Sequence, residues 1–215
     1  MTPSNPAPAA PGGTTTVTSS VPLRWQLKDI VLVVVLGVVF GFVYWAVVIA
    51  WKGLSVAMGP AGDLAQHLLF GLWLIVAPVA AGIVRRPGAG ILAELIAAIV
   101  EVVFLGSPVG PLLLLSGFLE GLGCELPFLI TRFRSFGWGT YTFSGLLGGV
   151  LVFFWSAFRF GWYGQNIFLL RLAVQGASGV VLGGLLAKLL VDRLAKTGVL
   201  DNFAIGRDTL GARAR

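Results

Sequence analysis

Basic residues flank the apolar segments of this chain at alternate ends, and this pattern constrains the fold more than any other feature. Arg24 and Lys28 precede the first apolar segment, and Arg85 and Arg86 follow the second. Arg132 and Arg134 follow the fourth segment, and Lys188, Arg193 and Lys196 follow the last. Short loops rich in Lys and Arg stay in the cytoplasm, whereas the turns between these clusters hold few such residues. The alternation predicts an even number of membrane crossings with both termini cytoplasmic.

The composition also indicates a membrane protein. Of the 215 residues, 57% are hydrophobic and 11% are charged, which leaves too little polar surface to cover a water-soluble globule. The net charge of +6 lies mainly at helix ends rather than in a basic stripe with exposed aromatics, so nucleic-acid binding is not expected. Cys124 and His67 are the only residues of their types, which excludes an intrachain disulfide, and we expect neither a metal nor a cofactor.

The apolar segments have the length of membrane spans, for which about 17–25 residues are needed. We predict an all-α bundle of six transmembrane helices over residues 23–196 in the cell membrane, with the helices at 28–50, 64–84, 89–105, 109–131, 138–160 and 165–192. Residues 1–22 are rich in Pro, Thr and Ser, which predicts a disordered cytoplasmic tail. Residues 197–215 are predicted to form a short cytoplasmic tail. The Gly-containing connection from Trp51 to Asp63 is predicted to act as a lid.

Five ionisable side chains fall within predicted spans, where such groups usually face the interior of a bundle. Glu94 and Glu101 are seven residues apart and therefore share one face of the third helix. Glu120 and Glu125 diverge by about 140° on the fourth, so we expect different roles for them. Counted from the outer helix ends at about 1.5 Å per residue, Glu101 lies level with Arg171, the fifth of these groups.

An outward-facing pocket is predicted from the polar and aromatic residues of the outer half of the bundle. These candidate ligand contacts are Glu101, Glu120, Arg171, Gln175, Trp45 and Trp155. Aromatic faces beside carboxylates suit a flat heterocycle that is cationic or carries an amino group. The alternative for Glu101 and Arg171 is a structural ion pair.

Three further residues are candidate ligand contacts with a structural alternative. Glu94 and Glu125 lie at a second level nearer the cytoplasm, where they either contact ligand or link helices. His67, at the outer start of the second helix, is either interfacial or a ligand contact.

Small residues recur on one face of the first and sixth predicted helices, at Gly37 and Gly41 and at Gly176, Gly179 and Gly183. Such spacing permits close approach of another helix. The spacing does not decide whether that helix belongs to this chain or to a partner.

Catalysis is not expected, because the chain has no G-x-x-x-x-G-K-[ST] nucleotide-binding loop and no serine in a nucleophile-type context near His67. Intramembrane glutamates are also what proton relays use. A stand-alone proton-coupled secondary transporter or exporter is therefore the alternative function, and a structural assembly subunit a third.

Two stretches carry a resemblance to a known family. AELIAAIVEVVFLGSPVGPLLLLSGFLEGLGCELPF, from Ala93 to Phe128, and WQLKDIVLVVVLGVVFGFVYWA, from Trp25 to Ala46, resemble the S components of energy-coupling-factor (ECF) vitamin transporters. The most similar type is the YkoE one, associated with thiamine and its hydroxymethylpyrimidine (HMP) precursor. The resemblance implies a six-helix domain that captures vitamin outside the cell and docks on a transmembrane coupling protein driven by two ATPases.

The same resemblance assigns roles to particular residues. Glu94, Glu101 and Glu125 match the family's glutamates, whereas Glu120 stands where glutamine is more common and favours a more cationic ligand. The glycine faces of the first and sixth helices become candidate docking surfaces for the coupling protein. We predict a binding component for thiamine or a related pyrimidine, with Glu101 and Glu120 as polar anchors. Trp45 and Trp155 are predicted as stacking walls. Arg171 and Gln175 either orient these side chains or contact the ligand.

Overall fold

A computed structural model describes residues 25–107 and 110–206, and the regular structure in these ranges is helical. The helices are α1 (Leu27–Ala57), α2 (Leu64–Val84), α3 (residues 89–104), α4 (Leu112–Ile130), α5 (Trp138–Phe160) and α6 (Phe168–Lys196). A short 3-10 turn, Gly59–Ala61, lies between α1 and α2. The tail predicted for residues 1–22 lies outside the described residues.

Within the described ranges, five helices are long and apolar enough to cross a membrane, namely α1, α2, α4, α5 and α6. The helix α3 consists of 11 residues of α-helix followed by 5 of π-helix, so it is shorter than the other five helices and is not among the candidate spans. Its Ala89, Ala93 and Ala97 are nevertheless completely buried. The prediction of an all-helical, multi-pass membrane protein is confirmed, with five candidate spans where six were expected.

Three helices change their winding partway along. α2 contains the 3-10 segment Phe70–Leu74, α3 ends in the π segment Val100–Phe104, and α6 contains the π segment Gly179–Leu185. Such changes free backbone groups, which must find other partners inside a membrane protein. In α2, the Gly71 amide donates to the Ser178 hydroxyl over 2.9 Å and the Val76 amide to the Tyr44 hydroxyl over 3.2 Å.

The basic clusters meet at one end of the bundle. The Lys28 ammonium donates to the backbone oxygen of Asn202 over 2.5 Å, so both ends of the described chain lie together there. Arg86 forms a buried ion pair with Asp29 at 2.9 Å. We call this end of the molecule the basic end. Its existence agrees with the alternation of charges along the sequence.

The recurring glycines pack helices of this chain against one another. A Cβ atom on Gly37 would lie 2.6 Å from Ile96 Cβ, and one on Gly41 would lie 2.6 Å from Val100 Cβ, both on α3. On α6, Gly179 contacts Gly145 of α5, and Gly183 contacts α2. This corrects the interpretation of these four glycines as a face for a partner, because α2, α3 and α5 already occupy it.

Gly176 is placed differently from the other four glycines. It borders an open apolar groove of about 430 Å³ between α5 and α6, also lined by Leu146, Val150, Leu172 and Val180. This predicted docking residue therefore adjoins open space on the surface of the bundle.

Two connections differ from the sequence expectation. The segment predicted as a lid, residues 51–63, is helical as far as Ala57, which leaves only residues 58–63 to join α1 to α2. After α6, Leu200 and Ile205 are buried in a core cluster with Val79 and Ile83 of α2. The segment beyond Lys196 thus packs against the bundle through Leu200 and Ile205, whereas Val199 is exposed.

Candidate functional site

Three carboxyl groups come together in the interior between α3 and α4. Glu94 and Glu101 of α3 are 1% and 2% exposed, and Glu120 of α4 is 6% exposed. The Glu94 and Glu120 side chains are close enough to hydrogen-bond, and Glu101 lies within electrostatic range of both. We call these three residues the carboxyl cluster. The shared face predicted for Glu94 and Glu101 is confirmed.

Two aromatic residues supply hydrogen-bond donors to the carboxyl cluster. The Tyr44 hydroxyl of α1 donates to Glu94 Oε2 over 3.4 Å, and the Trp73 side chain of α2 hydrogen-bonds Glu101. Four helices, α1 to α4, thus meet at the cluster. Sequence reasoning assigned no role to Tyr44, although it continues the buried row of Gly37 and Gly41 by one turn.

The two tryptophans predicted as stacking walls are placed differently. The Trp155 indole of α5 donates to the Ser116 hydroxyl over 3.2 Å, one helical turn from Glu120. Trp45, by contrast, is 42% exposed on the outer surface of α1. Neighbouring helical residues point about 100° apart, so Tyr44 faces the cluster while Trp45 does not. The prediction that Trp45 forms a wall of the site is corrected.

His67 and Gln175 form the centre of a second polar group, built from α2, α5 and α6. His67 Nδ1 lies 2.7 Å from Gln175 Oε1, and the Gln175 amide donates to the backbone oxygen of Gly149 over 2.9 Å. The imidazole packs edge-on against Trp162, with ring centres 5.1 Å apart. Among the described residues, His67 Nε2 is the one buried side-chain nitrogen or oxygen without a hydrogen-bond partner.

Arg171 ties the start of α6 to two connecting segments. Its guanidinium donates to Asp63 over 2.7 Å and to Gln165 over 2.5 Å, and it lies over the Trp162 ring at 5.1 Å. The ion pair considered between Arg171 and Glu101 is therefore replaced by one with Asp63. Equal depth did not bring the two residues together, because contact also requires helix faces that point at each other.

Glu125 performs a structural task away from the carboxyl cluster. Its carboxylate accepts the Gly88 amide and, over 3.1 Å, the Ile91 amide at the start of α3. The first amides of a helix lack partners within it and attract negative charge. Glu125 therefore caps α3 from α4, whereas Glu120 lies in the carboxyl cluster.

The carboxyl cluster has no ion-pair partner within the described ranges, where the ion pairs include Asp29 with Arg86, Asp63 with Arg171 and Asp192 with Lys188. Acidic groups buried in a membrane protein are costly unless protons, donors or a cation offset them. In the same ranges, no group of three His, Cys, Asp or Glu residues is arranged to hold a metal ion. The cluster is chemically suited to a ligand that brings positive charge or several hydrogen-bond donors.

Comparison with known proteins places the chain in a family. A family model described as the permease component of an ABC-type cobalt transport system matches residues 28–151. YkoE of Bacillus subtilis (strain 168), whose name describes an HMP/thiamine permease protein, is 36% identical over 89% of this chain and 95% of its own length. A crystal structure of an S component of an ECF transporter matches with a TM-score of 0.82 and 36% identity, over 89% of this chain and 96% of that one. The chain belongs to the YkoE-like S components of ECF transporters, which are multi-pass membrane proteins of transport and not enzymes.

Proposed function

We propose that this S component captures thiamine or its HMP precursor at the outer face of the cell membrane. It delivers the ligand inward together with a transmembrane coupling protein and two ATPase subunits. The name of the B. subtilis relative supports the ligand class, and membership of the S components supports the partners. The observation that carries the proposal is the carboxyl cluster, three buried acidic groups enclosed by aromatic donors and without an ion pair in the described ranges.

The proposed orientation has six crossings with both termini in the cytoplasm. In it, α3 crosses the apolar layer with its face of Ala89, Ala93 and Ala97 packed inside the bundle, while Ile99 and Val103 on its other side face lipid. The basic end, where Lys28 contacts Asn202, then faces the cytoplasm as the positive-inside rule expects. Residues 1–22 and the end of the chain would be cytoplasmic tails.

The chemistry of the ligand fits the carboxyl cluster. Thiamine joins an aminopyrimidine to a thiazolium ring that carries a permanent positive charge, and HMP contains the aminopyrimidine alone. A carboxylate accepts hydrogen bonds from the amino group, and the fixed charge offsets a second buried carboxylate. We assign Glu101 and Glu120 as the polar anchors, with Glu94 held behind them by Tyr44. Of the aromatic side chains near the cluster, Trp73 and Trp155 offer flat faces for stacking.

We include the second polar group in the proposed site. His67 Nε2 is buried and has no partner, so a polar atom of the ligand can satisfy it. Gln175 holds the imidazole, and Arg171 holds the connection before α2 through Asp63. In this proposal Gln175 and Arg171 position other groups rather than contact ligand, and Glu125 and Trp45 are not part of the site.

Fluorescence titration of the purified protein with thiamine and with HMP tests the proposal. Both ligands should quench tryptophan emission, and Glu101→Gln should weaken thiamine binding at least about tenfold, the size of one charge-assisted contact. Glu120→Gln should weaken thiamine more than HMP, because only thiamine carries the fixed charge. Trp73→Phe should remove much of the quenching, and the exposed Trp45→Phe serves as the matched control that should keep it.

Two results would overturn parts of the proposal. Unchanged affinity in both Glu101→Gln and Glu120→Gln would remove the carboxyl cluster from the site. Uptake by the chain alone in liposomes under a proton gradient, without coupling protein or ATPases, would favour the secondary transporter instead. We expect uptake only when all subunits and ATP are present.

A further inference from the structure

A second cavity, of about 390 Å³, lies at the basic end, far along the helices from the carboxyl cluster. It is enclosed by the end of α2, the start of α5, the last turns of α6 and the segment that follows α6. Three of its lining residues are cationic, Arg85, Lys188 and Lys196, and one is anionic, Asp192. The lining therefore carries a formal excess of positive charge.

Two of the three cations of this cavity, Arg85 and Lys188, are held in place by the fold. Arg85 has a left-handed backbone with φ of 56°, and its guanidinium lies 4.0 Å from the centre of the Phe136 ring. The Lys188 ammonium pairs with Asp192 and lies 5.6 Å from the centre of the Trp138 ring and 5.8 Å from that of Tyr141. Charged groups that are already ordered lose little conformational freedom when a ligand binds.

A tryptophan of the kind found in the headgroup region of a membrane lies beside the cavity. Trp138 starts α5 and is 53% exposed, as expected for an indole in the interfacial belt of a membrane protein. Its contact with Lys188, which lines the cavity, supports the headgroup level for the cavity. Val191, Ala195 and Ile205 form an apolar part of the lining, so the site offers positive charge beside an apolar wall.

We propose that this cavity binds the headgroup phosphate of an anionic phospholipid, such as phosphatidylglycerol. Basic cavities between membrane helices are suited to such headgroups. The phosphate would lie between Lys188, Lys196 and Arg85, with the Tyr141 hydroxyl at the floor, and the glycerol backbone would rest on the apolar wall.

Native mass spectrometry of the detergent-purified protein with added phosphatidylglycerol tests this inference. Lys196 is exposed, so Lys196→Gln should leave the fold intact and lower the retained lipid about fivefold, the effect of one lysine near an anionic headgroup. The double variant with Lys188→Gln should lose more. Asp192→Asn should retain more lipid than the wild type, because it removes the one carboxylate of the lining.

Arg193→Gln is the matched control for loss of charge. Arg193 is exposed on the same helix but lies outside the row of Lys188, Asp192 and Lys196, which recur every four residues along the cavity. An equal loss of lipid in Arg193→Gln and Lys196→Gln would overturn the proposal in favour of general surface attraction.

Two further ligands distinguish the source of the phosphate. Phosphatidylcholine should be retained less than phosphatidylglycerol, and equal retention would mean that headgroup charge is not recognised. Inorganic phosphate at millimolar concentration should neither displace the lipid nor raise the melting temperature. Displacement by phosphate would assign the cavity to a soluble anion and overturn the lipid assignment.

Discussion

Replacing Tyr44 by phenylalanine removes a single hydroxyl group that links three helices. This hydroxyl accepts the Val76 amide of α2 over 3.2 Å and donates to Glu94 of α3 over 3.4 Å. The aromatic ring, which packs edge-on against Phe40 at 6.0 Å, is retained in the variant. The substitution therefore isolates the hydrogen bonds from the packing.

The expected cost follows from the place of Val76 in α2. Its amide follows the 3-10 segment Phe70–Leu74, and in the variant it is left buried without the hydroxyl acceptor. An unsatisfied buried group costs about 1–3 kcal/mol, whereas hydrogen bonds between membrane helices average about 0.6 and reach about 1.7 kcal/mol. We expect Tyr44→Phe to lower the free energy of unfolding by about 1–2 kcal/mol, which corresponds to about 2–8 °C in melting temperature.

Thermal unfolding in detergent, with Tyr163→Phe as the matched control, measures this effect. Tyr163 is exposed and its hydroxyl donates to the backbone oxygen of Phe154 over 3.3 Å, so its loss should cost under about 0.5 kcal/mol. Thiamine affinity should also fall about threefold or more in Tyr44→Phe, because Glu94 loses the donor that orients it. Equal melting temperatures for Tyr44→Phe and the wild type would refute the role given to this hydroxyl.

Three other substitutions test the packing and the charges of the bundle by thermal unfolding and ligand titration. Gly41→Val should lower the free energy of unfolding by about 1–3 kcal/mol, because the added Cβ would meet Val100. Gly53 has open space around it, so the control Gly53→Ala should be neutral or stabilising. Equal effects of the two substitutions would contradict the α1–α3 contact. Asp29→Asn should cost about 3 kcal/mol, since it breaks a buried ion pair with Arg86, and a loss below about 1 kcal/mol would show that the pair is not needed. Glu125→Gln should lower the free energy of unfolding by about 1–2 kcal/mol, because the capping of α3 becomes weaker. The thiamine dissociation constant should stay within about twofold of the wild-type value. A large loss of affinity would return Glu125 to the binding site.

The sequence alone determined that the chain is a helical membrane protein. Apolar length and the position of Lys and Arg are properties of short segments, and lipid leaves a helix as the simplest way to satisfy the backbone. Burial of Glu94 and Glu101 on one face also followed from local spacing, as did the divergence of Glu120 and Glu125. The resemblance of two helical stretches to S components identified the family that the comparisons show.

The tertiary structure decided which polar side chains meet. Depth along a helix follows from counting residues, but contact also depends on rotation about each helix axis and on the π and 3-10 segments that alter it. Arg171 therefore pairs with Asp63, Tyr44 replaces Trp45 at the carboxyl cluster, and Gly37 and Gly41 pack against α3 instead of facing a partner. These contacts join residues that are distant in the chain, and the local sequence does not specify how two helices are oriented relative to each other.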